Sequence, residues 1–314
     1  MQAIPVMLVV GFIAFALFAY VGDPVASMLG QDATEAQRLE LIKQLGRDQP
    51  FMVQYGRFLW LAIHGEFGIS YRLAQPVSSL IAERLPATLE LAVTASVLAF
   101  AIGVPMGVYT GIHRNGFLSR VFMTVSLAGV SLPTFLLGIL LILTFSVGLG
   151  WLPSFGRGPV VHLGKYWTTG FLSWASFRCL ILPAVTLGMF QMTLIMRLVR
   201  SEMLEVLRSD YIKFARARGL TDRSIHFGHA LKNTLVPVIT IMGLQFGGIV
   251  AFSLVTETVF QWPGMGLLLV QSVTAADIPV MSAYLLLIAL VFVVINLVVD
   301  LLYYAVDPRL RGQR

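Results

Sequence analysis

Few residues in this 314-residue chain could do chemistry, and their spacing excludes most of what they could do. The five histidines, His64, His113, His162, His226 and His229, are scattered. Only His226 and His229 stand three apart, on one helical face. They sit among basic residues with no carboxylate beside them, which is a poor donor set for a metal. Cys179 is the single cysteine, so no intrachain disulfide can form. It heads an apolar run, where a cysteine serves as a small buried hydrophobe. Serine, histidine and aspartate all occur, but no G-x-S-x-G presents a nucleophile. No G-x-x-x-x-G-K-[ST] occurs either, so the chain lacks a P-loop with which to hold ATP. Intramembrane charge, the usual mark of ion-coupled transport, is approached only by Glu257 and Asp300, each near the end of an apolar run. What remains is one dense cluster of charge, ARARGLTDRS at 215–224, in a sequence only 12% charged. Such a cluster can dock; it holds no acid–base pair or nucleophile.

The residues around the cluster predict its shape. Glu202 and Glu205 alternate with Arg200 and Arg208 as an apolar run gives way to polar sequence. DYIKFARARGL follows. Asp210 starts a short helix, its charge suited to the positive N-terminal end. Tyr211, Phe214 and Ala217 or Arg218 then fall at helical spacing, an apolar ridge beside a basic one. Gly219 stops the helix. Thr221 and Asp222 cap a second helix that leads through HALKNTLVP, and Pro237 opens the next apolar run. A short amphipathic helix on a glycine turn reads in two ways. It is a basic patch held beside acidic lipid headgroups, or a rigid knob seated in a partner's groove.

The elements that position this knob follow from composition. The chain is 57% hydrophobic, with a mean hydropathy of +0.82. A soluble domain of this length would carry about twice the charge. Long apolar runs in lipid must be helices, because their backbone groups can only satisfy one another. Six runs qualify as spans of roughly 20 residues: 4–21, 91–112, 121–149, 180–196, 235–256 and 279–299. A seventh uncharged stretch, 258–276, contains QWPGMG and is expected to be a short re-entrant or interfacial segment. Six spans place both termini on one side. Short loops on that side hold thirteen basic residues against three on the other, so both termini are expected in the cytoplasm. Pro105, Pro133, Pro183, Pro237, Gly243, Gly247 and Gly248 lie inside spans, as helix-packing positions or as bending points.

Between the first two spans, residues 22–86 hold six basic and seven acidic residues. Thr34 and Gln37 form a capping box at the start of one helix. Leu39, Ile42 and Leu45 make its apolar stripe, and Gly46 ends it. Pro50 opens a second helix through Tyr55, Phe58, Leu59 and Trp60. The organisation expected is residues 1–22 as the first span, 23–88 as an extracytoplasmic helical cap, and 89–314 as the spanning core with a cytoplasmic loop at 200–233. The cap is either a docking face for an external protein or a lid on the bundle.

Several stretches, in order, carry a resemblance. EVLRSDYIKFARARGL followed by HALKNTLVP resembles the coupling-loop signature of ABC importer permeases. GDP at 22–24, HGEFGIS at 64–70, RLPATLEL at 84–91, ILPAVTLG at 181–188, TETVFQWPGMG at 256–266 and NLVVDLLYYAVDPRLR at 296–311 narrow it. Together they resemble the B-type permeases of the dipeptide, oligopeptide and nickel family, across nearly the whole chain. Where the general importer motif has Glu-Ala-Ala before its glycine, this chain has Lys213, Phe214 and Ala215; the peptide branch commonly has ARA with a basic residue before the glycine, as this chain does at 215–218. The general motif also carries a proline near Lys232; here Pro237 follows five residues later. Members of the family usually begin with a basic stretch that this sequence lacks, which implies a truncated start or a weakly anchored first span.

The resemblance implies an all-α, six-helix type I importer fold in the bacterial inner membrane. The chain would work beside a second homologous permease, two ATP-binding cassette ATPases and an extracytoplasmic substrate-binding protein. The ATPase-coupling residues would be Asp210, Tyr211, Lys213, Phe214, Ala215, Arg216, Ala217, Arg218, Gly219 and Leu220. The chain would hold no cofactor, and ATP would be bound by the partner subunits. Peptides are the first expectation as cargo. Glutathione, nickel chelates, opines and oligosaccharides are carried by other members of the family. A membrane scaffold or receptor subunit signalling through the same loop is the reading from another class.

Overall fold

The computed structural model describes residues 3–20, 34–44, 48–164 and 167–306. It is a helical bundle. Helix α1 (Ala3–Tyr20) is followed by two short helices, α2 (Glu35–Gln44) and α3 (Phe51–Ile63). Next come α4 (Val77–Ile112), α5 (Phe117–Ser131) and α6 (Thr134–Leu141), which runs on as a π-helical segment, Ile142–Gly148. A two-stranded antiparallel hairpin, β1 (Val161–Leu163) with β2 (Trp167–Thr169), pairs His162 with Thr168. The chain then forms α7 (Trp174–Val206), α8 (Asp210–Ala217), a π-helical segment Ser224–Ala230 continuing into α9 (Leu231–Val259), α10 (Met265–Thr274) and α11 (Ile278–Val306).

Among the described residues four helices are long and apolar enough to cross a membrane: Val77–Ile112, Trp174–Val206, Pro237–Val259 and Ile278–Leu301. The expected third span is broken. Phe117–Ser131 and Thr134–Gly148 meet at 113° across Leu132 and Pro133, and count as a fifth span only if the bent pair is one unit. Pro133 stands at that break, just before α6, where its fixed φ of −57° suits a helix start. Pro105, Pro183 and Pro237 instead lie inside continuous helices. The first helix is apolar, but at 18 residues it falls short of the other spans. Segment 258–276 contains α10, whose ten residues extend only about 15 Å.

The bundle is held together where helices come close at small residues. Helices α4 and α7 run parallel, and Gly103, Gly107 and Gly111 of α4 follow Ile195, Val199 and Met203 down α7. A Cβ on Gly107 would lie 2.5 Å from that of Val199, and one on Gly188 would lie 2.7 Å from the carbonyl of Ala95. Small residues allow this approach, and dispersion then supplies the adhesion that water supplies elsewhere. Gly243 and Gly247 do the same for α9 against Val299 and Phe292 of α11. Gly248 faces open space.

The capping box is present as predicted. The Thr34 amide donates to Gln37 Oε1 at 3.1 Å, and the Gln37 amide to Thr34 Oγ1 at 3.4 Å. Pro50 precedes α3 as its N-cap. Leu45, Gly46 and the GDP stretch lie outside the described residues.

Candidate functional site

Helix α8 and its flanks form one end of the bundle. Ser209 is the N-cap, with extended backbone (φ −66°, ψ 154°), and its amide carbonyl receives Lys213 N at 3.2 Å. Asp210 occupies the first turn and pairs with Lys213 Nζ at 2.8 Å, an exposed contact of small energetic weight. At the other end Gly219 adopts φ +79°. Gly219 N donates to Arg216 O at 2.9 Å and Leu220 N to Ala215 O at 3.3 Å. This pair of bonds is a Schellman motif, with the left-handed residue where glycine is least costly. The Ser224 amide then reaches Thr221 Oγ1 at 3.4 Å and opens the next helix, which runs without a break into α9.

One face of α8 is fastened to the chain's own core. Ile212 is fully buried and Ala215 is 7% exposed, in a cluster with Val199, Met203, Ile225 and Ala230. Tyr211 Oη accepts from Asn233 Nδ2 at 2.7 Å and lies 3.4 Å from His229 O. The opposite face is free. Phe214 is 64% exposed and Leu220 40%, and the Arg218 guanidinium carbon stands 5.8 Å from the centre of the Phe214 ring. Lys213, Arg216, Ala217 and Arg218 are also exposed. Spacing predicted a ridge of Tyr211, Phe214 and Ala217 or Arg218; Phe214, Ala217 and Arg218 are exposed together, while Tyr211 is held by Asn233 on the anchored side. The same reading put Ala215 among residues that approach a partner, whereas the side chain points into the chain's own interior. An eight-residue amphipathic helix, rigid at both ends and anchored from beneath, presents an aromatic knob ringed by cations. Among the described residues no group of three or more His, Cys, Asp or Glu could hold a metal ion.

At the opposite end of the bundle, three buried carboxylates fasten helices and loops together. Glu257, near the end of α9, is fully buried. It accepts from Thr88 Oγ1 (2.7 Å), Ser253 Oγ (3.0 Å), Gly266 N (2.7 Å) and Leu267 N (3.0 Å). It thus caps α10, where a negative charge meets free amides and the positive end of the helix. A Cβ at Gly264 would come within 2.5 Å of that carboxylate, so the glycines of WPGMG make room for it. Met265 N donates to Thr88 Oγ1 at 2.7 Å, and Trp262 Nε1 to Ala87 O at 2.9 Å. RLPATLEL and TETVFQWPGMG are thus two halves of one joint.

Glu90, two residues beyond Thr88 in α4, binds Arg157 through Nη2 at 2.6 Å and Nε at 3.1 Å, and Gly170 N at 3.0 Å. Arg157 also donates to Thr168 Oγ1 and to the Thr168 carbonyl. The ion pair is almost wholly enclosed and pins the hairpin loop to α4. Asp277 accepts from Ser70 Oγ, Tyr71 N and Arg72 N, tying HGEFGIS to the start of α11. Glu90 and Asp277 were not singled out by spacing, since their partners lie 67 and about 200 residues away; the quoted motifs that contain or contact them were the only signal.

Comparison with known proteins covers almost the whole chain. Residues 103–312 match the family described as binding-protein-dependent transport system inner membrane component. Residues 1–92 match the N-terminal model of the same membrane component. A protein of Brucella abortus named as a peptide transport system permease is 42% identical over 312 residues, covering 99% of this chain and 96% of that one. The glutathione transport system permease protein GsiC of Escherichia coli K12 is 41% identical over 311 residues, covering 98% and 95%. Among solved structures, a chain of the MetNI methionine ABC transporter in an inward-facing conformation superposes with a TM-score of 0.56, covering 73% of this chain and 96% of that chain at 21% identity. That likeness shows the fold.

Proposed function

The chain belongs to the family of binding-protein-dependent transport system inner membrane components, and from that premise we propose that it forms half of the translocation path of an ATP-driven peptide importer. As a member it is a multi-pass transport subunit and not an enzyme. Hydrolysis of ATP belongs to separate subunits, and delivery of cargo to a binding protein. Our reading goes further. The chain pairs with a second, homologous permease above two ATPases, has six spans and keeps both termini in the cytoplasm. Residues 23–88 then lie outside the cytoplasm and 200–233 inside.

The observation that carries the reading is the extent of the likeness: relatives named for peptide transport are 42% identical over 98–99% of this chain and 96% of their own length. Cargo is taken to be di- or oligopeptides. The GsiC relatives favour glutathione as a second reading; glutathione is itself a small peptide, so both readings demand a path for a short polar chain.

The exposed face of α8 is the proposed docking knob. Phe214 and Leu220 enter an ATPase groove, while Arg216 and Arg218 meet its rim. Ile212, Ala215 and Tyr211 act from beneath. They transmit movement of the knob to α4, α7 and α9, whose ends share their cluster. Alternating access would follow when ATP draws the two ATPases together. The test is peptide uptake in cells lacking the chain and re-supplied with it. Uptake restored by wild type but not by Phe214→Ala, at equal membrane levels, supports the reading. Equal restoration by both would remove the docking role, and no peptide uptake with wild type would remove the cargo.

A further inference from the structure

Helix α10 stands between two turns of the same kind. Gln261 N donates to Thr258 O at 3.3 Å and Trp262 N to Glu257 O at 2.8 Å, closing the end of α9. Ala276 N donates to Val273 O at 3.2 Å and Asp277 N to Ser272 O at 2.8 Å, closing the end of α10. Both are Schellman motifs, the pairing that also closes the knob at Gly219 and the end of α3 at Gly65. At Gly219 and Gly65 the left-handed residue is a glycine. On either side of α10 it carries a side chain: Gln261 has φ +47° and Ala276 φ +53°. Among the described residues one other non-glycine is left-handed, Ala74 at φ +51°. It lies in the strap 65–76, whose Arg72 Nη1 donates to Gln271 Oε1 of α10 at 3.1 Å.

A side chain in the left-handed region is strained, and it stays there only where its surroundings over-determine it. The residue after each hinge supplies that grip. Trp262 follows Gln261, is buried among Leu91, Ala184 and Ile249, and donates Nε1 to Ala87 O at 2.9 Å. Asp277 follows Ala276 and holds the strap: its carboxylate accepts from Ser70 Oγ, from Tyr71 N at 3.1 Å and from Arg72 N at 3.4 Å. The two grips differ in kind. The first is apolar and enclosed. The second is a seam of charge-assisted bonds whose flanks, 72–76 and 273–276, are exposed, so water can replace each bond as the seam parts.

We propose that α10 is a hinged element at the end of the bundle opposite the knob, and that the strap 65–76 is the latch that holds it and releases it once in each transport cycle. The proposal rests on the transport reading, because the cycle is what drives the release. A permanent fastening needs no strain: glycine at 74 and 276 would close the same turns at lower cost. Strain in the closed form works against the Asp277 bonds, so the joint has two accessible states where an unstrained one would have a single deep state. The hinge is also wired to the knob. Segment Ser224–Ala230, which packs behind α8, runs on into α9, and α9 ends at the Gln261 turn. One continuous helix thus carries movement of the knob to the latch.

The test uses the full chain in its complex, in proteoliposomes, with Cys179→Ala, Arg72→Cys and Gln271→Cys. The parent side chains of this pair meet across the seam, and the Asp277 bonds are left in place. A bifunctional methanethiosulfonate should join the two cysteines at rest, and the rate of joining should fall when ATP and loaded binding protein are supplied. The cross-linked complex should lose dipeptide uptake and regain it on reduction, while a monofunctional reagent leaves uptake intact. Ala74→Gly and Ala276→Gly relieve the strain, so each should shift the joint toward its closed form about fivefold or more, slowing uptake while raising the melting temperature. No cross-link at rest would place the strap away from α10 and overturn the proposal. Full uptake by the cross-linked complex, or a joining rate that ATP leaves unchanged, would show that the seam never parts and overturns it too. Glycine variants that melt higher yet transport like wild type would make the strain merely structural and remove the hinge. Absence of uptake by the uncross-linked complex would count against the transport reading instead, and the joining rate with and without ATP still decides the latch.

Discussion

Replacing Gly219 isolates one physical quantity. Its φ of +79° is a left-handed conformation, and a Cβ built there meets no atom within 4 Å. Substitution therefore costs backbone energy without steric clash. For alanine the left-handed conformation costs about 1–2 kcal/mol. Asparagine visits this region several times more readily than other residues, and β-branched valine is a true outlier there. The two bonds that close the turn, Gly219 N to Arg216 O and Leu220 N to Ala215 O, add about 0.5–1.5 kcal/mol each when kept and are the ones lost if it opens. A loss of 1–2 kcal/mol lowers the closed fraction about 5- to 30-fold. The rest of α8 stays in place through buried Ile212 and the Tyr211–Asn233 bond. The expected order for peptide uptake, and for stimulation of ATP hydrolysis in the assembled complex, is Gly219, then Asn, then Ala, then Val. Membrane levels should not change. Amide exchange at Leu220 should accelerate in the reverse order. If Gly219→Val transported and exchanged like wild type, or if Gly219→Asn failed as badly as Val, the turn would not be what sets the knob.

Four further outcomes follow from the same geometry. Ala215→Asp should lower folded membrane protein by placing an unpaired charge in the core, at several kcal/mol, while the exposed Ala217→Asp should leave levels normal and reduce uptake; fluorescence-detected size exclusion beside uptake separates them. Glu90→Gln should cost about 3–5 kcal/mol by stranding buried Arg157, and adding Arg157→Gln should recover part of that loss, as read from melting temperatures in a double-mutant cycle. Thr88→Val removes a donor to Glu257 and an acceptor for Met265 N, so it should destabilise by about 1–3 kcal/mol in the same melting assay. In intact cells an impermeant thiol reagent should label Gln49→Cys and not Asp222→Cys, both in a Cys179→Ala background; the opposite pattern would reverse the proposed topology.

Much of this architecture was legible because apolar runs and breakers speak locally. Runs 91–112, 180–196, 235–256 and 279–299 each fall within a long helix, since nothing but a helix satisfies such backbone in lipid. The capping box at Thr34 and the stop at Gly219 were equally local. The errors have a shared cause. Counting charge-free residues started the second span at Leu91, yet α4 begins at Val77 and carries Glu90 inside it. That charge is tolerated only because Arg157 neutralises it from a distant loop, which no window on the sequence can see. Pro133 marks a sharp break while Pro105, Pro183 and Pro237 do not; the four look alike in sequence, and neighbouring helices decide. In the site, the Phe214 and Arg218 part of the ridge was readable from spacing. Which small residue faced inward was not: Ala215 and Ala217 are interchangeable in sequence, and only the packing of Ile225 and Met203 around one of them tells them apart.

The central claim is that this chain carries peptides only when driven through its α8 knob by ATPases. Proteoliposomes holding the chain with its partner permease, its ATPases and loaded binding protein measure that directly, by uptake of a radiolabelled dipeptide. Accumulation should require ATP and the binding protein, should vanish with Phe214→Ala in an otherwise intact complex, and should be absent when the purified chain is reconstituted alone. Uptake or ATP hydrolysis by the chain alone, or undiminished ATP-dependent uptake with Phe214→Ala, would contradict it.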